Sequence, residues 1–320
     1  MRRRTLLTAF LAAVPAAAQP AWPNRPIRWI LPDAPGSGND LVARLLAGHL
    51  QGALGQPIVI ELRGGAGGRL GVETAFRATP DGYTFLFGNA GSNGINAAIY
   101  RDLPYELTTA FDPIALVVVG PNVLVVNPRT LPVNNVAELL AYIRARPGQL
   151  NYASGGIGAS NHLGMELLKY MERLDIQHVP YRGTQQMAQA AISGDAPVLF
   201  GNLTNLMPFI RAGGLRALAI STAQRSPMLP EVPTMQEAGV AGYETAAWNG
   251  LLAPRGTPQP ILDRMNAELV KLRDNAELRE RVSAIGGELV MSPPEAFAQR
   301  IRDDVTKWKT LADRAAIRPE

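Results

Sequence analysis

Short apolar runs alternate with amphipathic stretches along most of the chain. Ile27–Leu31 (IRWIL) predicts a strand, and a Pro/Gly loop follows it. Over 40–54, Leu41, Val42, Leu45, Leu46, Leu50 and Leu54 recur at helical spacing, and Gly55 ends the stripe. Ile58–Leu62 predicts the next strand, 70–79 a helix and 83–87 a strand. A second set begins near Asn122, with strands expected over 123–126, 150–153, 176–179, 198–200 and 215–221. Helices are expected between them over 136–146, 161–173 and 185–193. Such alternation predicts βαβ units around largely parallel sheets, an α/β fold. Beyond a Pro-rich passage (Pro227, Pro230, Pro233), 258–285 and 293–317 read as helical, with proline at the first turns. Two α/β sets and a helical C-terminal segment suit two lobes with a cleft between them. The pattern does not say how the chain passes from one lobe to the other.

Composition narrows the chemistry. The 320 residues are 47% hydrophobic and 18% charged, enough for two domains of about 100–200 residues. No interior run approaches the roughly 18 apolar residues of a membrane span. With no cysteine, disulfides, thiolate metal sites and a cysteine nucleophile are excluded together. The three histidines, His49, His162 and His178, make a histidine-rich metal centre an unpromising expectation.

The formal charge of +4 would suit a nucleic-acid partner, but its location argues otherwise. Residues 1–20 carry Arg2, Arg3 and Arg4, an apolar stretch from Leu6 to Val14, and the small residues Ala16, Ala17 and Ala18. That is the layout of a signal peptide cleaved after residue 18, exported by the general secretory or twin-arginine route to the periplasm. Its removal takes away three arginines and no acid, lowering the charge from +4 to +1. The remaining basic residues are interspersed with acids, so no nucleic-acid partner is expected.

Catalytic motifs are missing. There is no Gly-Lys dipeptide for a phosphate loop and no H-E-x-x-H. Neither Gly36-Ser37-Gly38 nor the run from Gly64 to Gly68 completes G-x-G-x-x-G. Ser160 and His162 are two apart and would not meet on a helix; a Ser/Asn cap followed by a first turn explains them better. Asp303-Asp304 reads as part of a solvated helical face. No catalytic residue, cofactor or metal is expected.

Four polar, glycine-rich loops stand directly before expected helices. The first holds Gly36, Ser37, Gly38 and Asn39, and the second Asn89 and Ser92. The third holds Ser154, Gly158, Ser160 and Asn161, and the fourth Tyr181, Arg182, Gly183 and Thr184. A helix start exposes unpaired N–H groups and the positive end of the dipole, and so can hold a carboxylate without a buried arginine. Any one of these loops could be no more than a capped βα turn. Four of them, two from each lobe, point to a binding cleft.

The order of several longer stretches is more specific. These include WPNRPIRWILPDAPGSGNDLVARLLA, LGQPIVIELRGGAGG, TPDGYTFLFGNAGSNGINAAIY, PGQLNYASGGIGASNHL, HVPYRGT and LRALAISTAQRSPMLPEVPTMQEAG. From Trp22 to Glu320 the chain resembles the extracytoplasmic solute receptors of the tripartite tricarboxylate transporters, the Bug family. The resemblance implies a two-lobed periplasmic-binding-protein fold of type II-like form, with one lobe from 19–121 and 246–320 and the other from 122–245. It implies a monomer that closes over a small organic acid and serves inner-membrane transporter subunits. It places Gly36, Ser37, Gly38 and Asn39 at one carboxylate, Ser154, Gly158, Ser160 and Asn161 at a second anion-holding turn, and Tyr181, Gly183, Thr184 and Asn202 in the second lobe.

Asp33 stands where the family usually has an aromatic or apolar residue, Ser37 and Asn39 where glycine or threonine is common, and Gly201 where an acid is usual. An acid at the cleft mouth repels a second ligand carboxylate unless it pairs with a ligand ammonium or with Arg182. The expected ligand is therefore a monocarboxylate, amino acid or hydroxy acid rather than citrate. Two other classes fit parts of the sequence: an exported enzyme acting on an organic acid, and a ligand-sensing adaptor for a membrane protein.

Overall fold

The computed structural model describes residues 22–33, 35–100, 102–156, 159–181, 183–285 and 287–315. The expected signal peptide, 1–18, lies outside them, as do Gly158 and Arg182. Strand β1 (Ile27–Leu31) leads through α1 (Gly38–Leu54) to β2 (Ile58–Leu62). A short turn and α2 (Arg69–Phe76) precede β3 (Thr84–Asn89). A wide turn over Gly91–Ile95 opens into α3 (Asn96–Ile99), and β4 (Phe111–Gly120) is separated from β5 (Asn122–Val126) by Pro121 alone.

The second set then runs α4 (Val136–Arg144), β6 (Asn151–Ser154), α5 (Ser160–Glu172), β7 (Gln177–Pro180) and α6 (Thr184–Ser193). It ends with β8 (Val198–Asn202), α7 (Leu203–Arg211) and β9 (Arg216–Ile220). The chain returns in β10 (Ala247–Pro254), α8 (Gln259–Lys271), α9 (Ala276–Ala284), β11 (Glu288–Leu289) and α10 (Pro294–Ala315).

One sheet has the order β11-β4-β10-β3-β1-β2 and the other β7-β6-β8-β5-β9. Read from the parallel edge, the two share a plan. β2, β1 and β3 are mutually parallel, as are β7, β6 and β8. Next to each trio lies an antiparallel strand, β10 or β5, followed by a further antiparallel neighbour, β4 or β9. The sheets are thus mixed, not largely parallel as the pattern predicts. The expectation fails because β10 runs antiparallel to β3 and β4, and β5 antiparallel to β8 and β9; β4 and β10 are not among the predicted elements.

This plan decides which ends of the sheets meet. β10 is antiparallel to both β3 and β4, so β4 ends where β3 ends. β5 is antiparallel to β8, so it starts where β8 ends. Pro121 therefore joins the carboxyl ends of the two parallel trios, where ligand clefts form in α/β folds.

Helices cover both faces of the first sheet, so its central strands are buried on both sides. Trp29 and Phe87 stack at 5.5 Å between ring centroids under α1 and α8. Ile30 and Leu86 face the opposite layer, with Trp248, Phe297 and Ile301. Helix α10 spans the lobes: Phe297 and Ile301 belong to this layer, whereas Trp308 and Leu311 pack into the second lobe's core beside Ile95 of the first. A β-carbon on Gly250 would lie 2.1 Å from the Phe297 ring, so glycine there lets α10 sit directly on β10.

Asp303 and Asp304 differ sharply. Asp303 is exposed, but Asp304 is 2% exposed, correcting the solvated reading of the pair. Asp304 accepts from Trp248 Nε1 at 2.6 Å and pairs with Arg300 at 3.1 Å and Lys307 at 3.1 Å. Arg300 also pairs with Glu244 at 2.9 Å, and Lys307 donates to the Glu244 carbonyl at 3.1 Å. This network fastens α10 to the segment that brings the chain back into β10. Asp304→Ala would leave two cations facing a vacated site and is expected to cost about 3–5 kcal/mol, by analogy with broken buried pairs. Chemical denaturation followed by tryptophan fluorescence checks this; a loss below about 1 kcal/mol would contradict the role of Asp304 as a hub.

Candidate ligand-binding cleft

In the first lobe, the loop between β1 and α1 is set by reciprocal capping. The Asp40 N–H donates to Ser37 Oγ at 3.2 Å, and Asp40 Oδ2 accepts from the Gly36 N–H at 2.9 Å. Arg44 closes on Asp40 at 2.7 Å. The cap consumes the Ser37 hydroxyl as acceptor and the Gly36 amide as donor, while the helix supplies no carbonyl for the N–H groups of Gly38 and Asn39. Half-buried Asp33 accepts from Asn39 Nδ2 at 2.8 Å and from Asn89 Nδ2 at 3.1 Å. Burial pushes its carboxyl above the usual range, with Asp40 nearby adding to the rise and the two amides opposing it. Asn89 and Ser92 cap each other: the Ser92 N–H donates to Asn89 Oδ1 at 2.9 Å, and the Asn89 N–H to Ser92 Oγ at 3.3 Å.

The second lobe repeats the arrangement with other residues. Ala159 is the N-cap of α5, rather than Ser160 or Asn161, which lie in the first turn. Asn161 Oδ1 instead accepts from the Gly155 N–H at 3.1 Å and the His162 N–H at 2.9 Å. Ser154 Oγ accepts from the Gly156 N–H at 3.0 Å and lies 2.5 Å from His178 Nε2. The Tyr181 N–H donates to the Ser154 carbonyl at 2.8 Å, and Gly183, at φ +97°, turns the chain into α6, which begins at Thr184. Asn202 ends β8 and accepts from the Asn205 N–H at 3.4 Å, capping α7.

All the described candidates therefore lie at or just after the carboxyl ends of β1, β3, β6, β7 and β8. Asp33, Gly36, Ser37, Gly38, Asn39, Asn89, Ser160, Asn161, Tyr181, Gly183 and Asn202 keep at least partial exposure. Two do not. Ser154 is 0% and Ser92 1% exposed, and their hydroxyls hold the turns, accepting from the Gly156 and Asn89 N–H groups. An open cavity of about 610 Å³ lies elsewhere, lined by Met207, Pro208 and Arg211 of the α7 segment and Glu280 and Ser283 of α9, and none of the four loops lines it.

Residues 42–317 match the sequence family described as the tripartite tricarboxylate transporter family receptor. The chain belongs to this family. Among solved structures, Rpa4515 of R. palustris with adipate is 35% identical, with a TM-score of 0.78 over 93% of this chain and 100% of that one. The periplasmic binding protein BugD is 32% identical, with a TM-score of 0.75 over 93% and 100%. MatC of Rhodopseudomonas palustris with bound malate is 32% identical, with a TM-score of 0.75 over 91% and 99%. The match agrees with the two-lobed fold and sets this receptor among binding proteins rather than enzymes. Among the described residues no helix is long and apolar enough to cross a membrane, and no group of three His, Cys, Asp or Glu is placed to hold a metal ion.

Two features of this receptor lie outside the residues expected in the cleft. The run from Gly64 to Gly68 is one: Gly68, at φ +88°, packs against Pro32 and Ser92, next to the Asp33 loop, where a β-carbon would come within 3.0 Å of Pro32. A glycine run beside a strand end is its only signal. The other is a ring cluster beneath the third loop. His162 and His178 are 4.5 Å apart, Tyr152 stacks on both, and the Tyr152 hydroxyl donates to Glu166 at 2.6 Å, which also pairs with Lys169 at 2.6 Å. The spacing of these residues across α5, β6 and β7 gives no hint of it.

Burial, then the neighbouring His178, pulls His162 down to about 4, with Lys169 lowering it further and Glu166 opposing. The folded chain thus holds His162 neutral, whereas the unfolded chain protonates it near its ordinary value of 6.5. The resulting stability is fully present above pH 6.5 and is lost as pH falls toward 4, on the order of 3 kcal/mol for one proton over that span. Urea titrations between pH 7 and 4 are expected to show the decline and His162→Gln to flatten it; an equal slope in the variant would place the linked proton elsewhere.

Proposed function

We propose that this receptor captures a small organic carboxylate in the periplasm, closes its lobes over it, and delivers it to the membrane subunits of a tripartite tricarboxylate-type transporter. One observation carries the reading: α1 and α5 both start at strand ends joined through Pro121, and their first turns present N–H groups of Gly38, Asn39, Ser160 and Asn161 for which the helices supply no carbonyl. Two dipole ends converging from separate lobes favour an anion and reward closure, because a ligand touching both lobes has higher affinity for the closed arrangement. The adipate and malate held by Rpa4515 and MatC support a carboxylate, and the periplasmic setting of BugD supports export.

Asp33 narrows the choice. Both its oxygens are oriented by amide donors, so the carboxylate is held as an acceptor at the strand end. It repels a further ligand carboxylate and favours a hydroxyl or ammonium, which puts monocarboxylates, amino acids and hydroxy acids ahead of citrate. Binding draws on charge-assisted hydrogen bonds in a partly dry site. Thermal-shift and calorimetric titrations with butyrate, malate, aspartate, succinate and citrate test this. A selective ligand at a hundred times its Kd stabilises by about 2.7 kcal/mol, and Asp33→Asn is expected to narrow the gap between citrate and the preferred acid. Tight citrate binding indifferent to Asp33→Asn would sink the specificity, and small-angle scattering unchanged by a tightly bound acid would sink the closure.

A further inference from the structure

The two lobes carry the same tetrapeptide at the same place. Leu86-Phe87-Gly88-Asn89 closes β3, and Leu199-Phe200-Gly201-Asn202 closes β8. Each glycine makes room for a side chain five residues on: an added β-carbon would lie 2.4 Å from Asn93 Oδ1 at Gly88 and 2.7 Å from Leu206 Cδ1 at Gly201. Each asparagine accepts a backbone N–H from three residues ahead, Ser92 or Asn205. Each is also opposed, across an antiparallel pair, by another asparagine: Asn89 by Asn249 in β10, and Asn202 by Asn122 in β5.

Residues directly opposite in an antiparallel pair share a face, with β-carbons about 4.5–5.5 Å apart. Asn249 and Asn122 therefore flank two residues of the cleft and point to the same side of their sheets. In the first lobe the row extends to β1: Leu31 lies two residues before Asp33, and continuing the β1–β3 register sets Asp33 beside Asn89, in keeping with their 3.1 Å hydrogen bond. Asn249 is 6% and Asn122 2% exposed, and the side-chain nitrogen of each is buried without an acceptor. A buried amide donor left unpaired is destabilising, and two occur at equivalent positions. Packing alone would be served as well by leucine.

We propose that the side-chain N–H groups of Asn122 and Asn249 are ligand donors on the floor of the cleft, one from each lobe, each taking a hydroxyl or carboxylate oxygen of the bound acid. The inference rests on the carboxylate reading of the cleft and deepens it. Both nitrogens are shut off from bulk water, so they have little hydration to lose when an oxygen arrives. Asn122 directly follows Pro121, and Asn249 is the third residue of β10, so both lie on the strands by which the chain passes between lobes. A ligand oxygen bound there acts on the crossover itself, and an acid that lacks an acceptor at that point leaves a donor unpaired. Discrimination by this means is stronger than discrimination by size.

The test is calorimetric titration of the mature protein with butyrate, succinate, malate and aspartate, comparing wild type with Asn122→Leu and Asn249→Leu. Each variant is expected to weaken the tightest of these acids by about tenfold or more, as loss of a hydrogen bond to a charged acceptor does. The urea midpoint without acid is expected to stay the same or rise, since a buried unpaired donor has been removed. Asn122→Asp and Asn249→Asp, which keep the shape and reverse the polarity, are expected to weaken binding at least as much, and they decide the matter if a Leu variant does not fold. Variants that bind like wild type, or that lose stability while binding normally, would overturn the inference alone. If wild type binds none of the acids, the carboxylate reading falls and this inference falls with it.

Discussion

The crossover at Pro121 is the constraint on which the rest of the molecule depends. A strand that finishes one sheet and, after a single residue, begins another brings the two sheet ends that it joins together. Because β10 and β5 run antiparallel to the trios beside them, that shared end is the carboxyl end. From this follow the starts of α1 and α5 at the same kind of sheet end and the placement of the described candidate residues at or just after those ends. The return path through Glu244 is held by Arg300 and Lys307, both anchored on buried Asp304. Helix α10 thus contributes apolar packing to both lobes and a charge network to the segment between them.

Much of this was legible in the sequence where local chemistry decides the outcome. The stripe of 40–54 and Gly55 became α1 with its left-handed cap at φ +68°, and the polar loops stand where helix-start residues predicted them. Legibility ended where distant residues decide. β4 contains Pro113 and β10 contains Gly250, which weaken a strand pattern, yet pairing with each other over eight residues holds both. The stretch 258–285 is two helices because residues 272–275 leave the α-helical path before Asn275 caps α9. Asp303 and Asp304 are neighbours in sequence and about 100° apart around a helix, so one meets water and the other Trp248.

The same logic sorts the cleft residues. Ser37, Asn39 and Asn161 act within their own turns, so their positions could be read from spacing. Ser154 stands in the third polar loop by residue type and at the second anion-holding turn by resemblance, and His178, twenty-four residues away, approaches its hydroxyl, a contact that spacing does not show. Ser92 is likewise taken up by Asn89 and Asn93. A polar loop contains more hydrogen-bonding groups than its own folding requires, and only the surplus can serve a ligand. Composition counts the groups, but the fold determines the surplus.

In each lobe the parallel trio ends in Gly-Asn, the glycine admitting a side chain from the following helical segment and the asparagine capping that segment's first turn. The backbone donors at these ends are satisfied locally, as a buried strand end requires. What lies beside them on β10 and β5 is under no such requirement, because those strands continue past the row into the crossover. Buried polarity that the fold does not need is costly, and two lobes of otherwise different sequence carry it at equivalent positions, in the strands by which the chain passes between them. On the proposed reading, recognition and closure would draw on the same stretch of chain: the strands that join the lobes also border the row of polar residues at the strand ends.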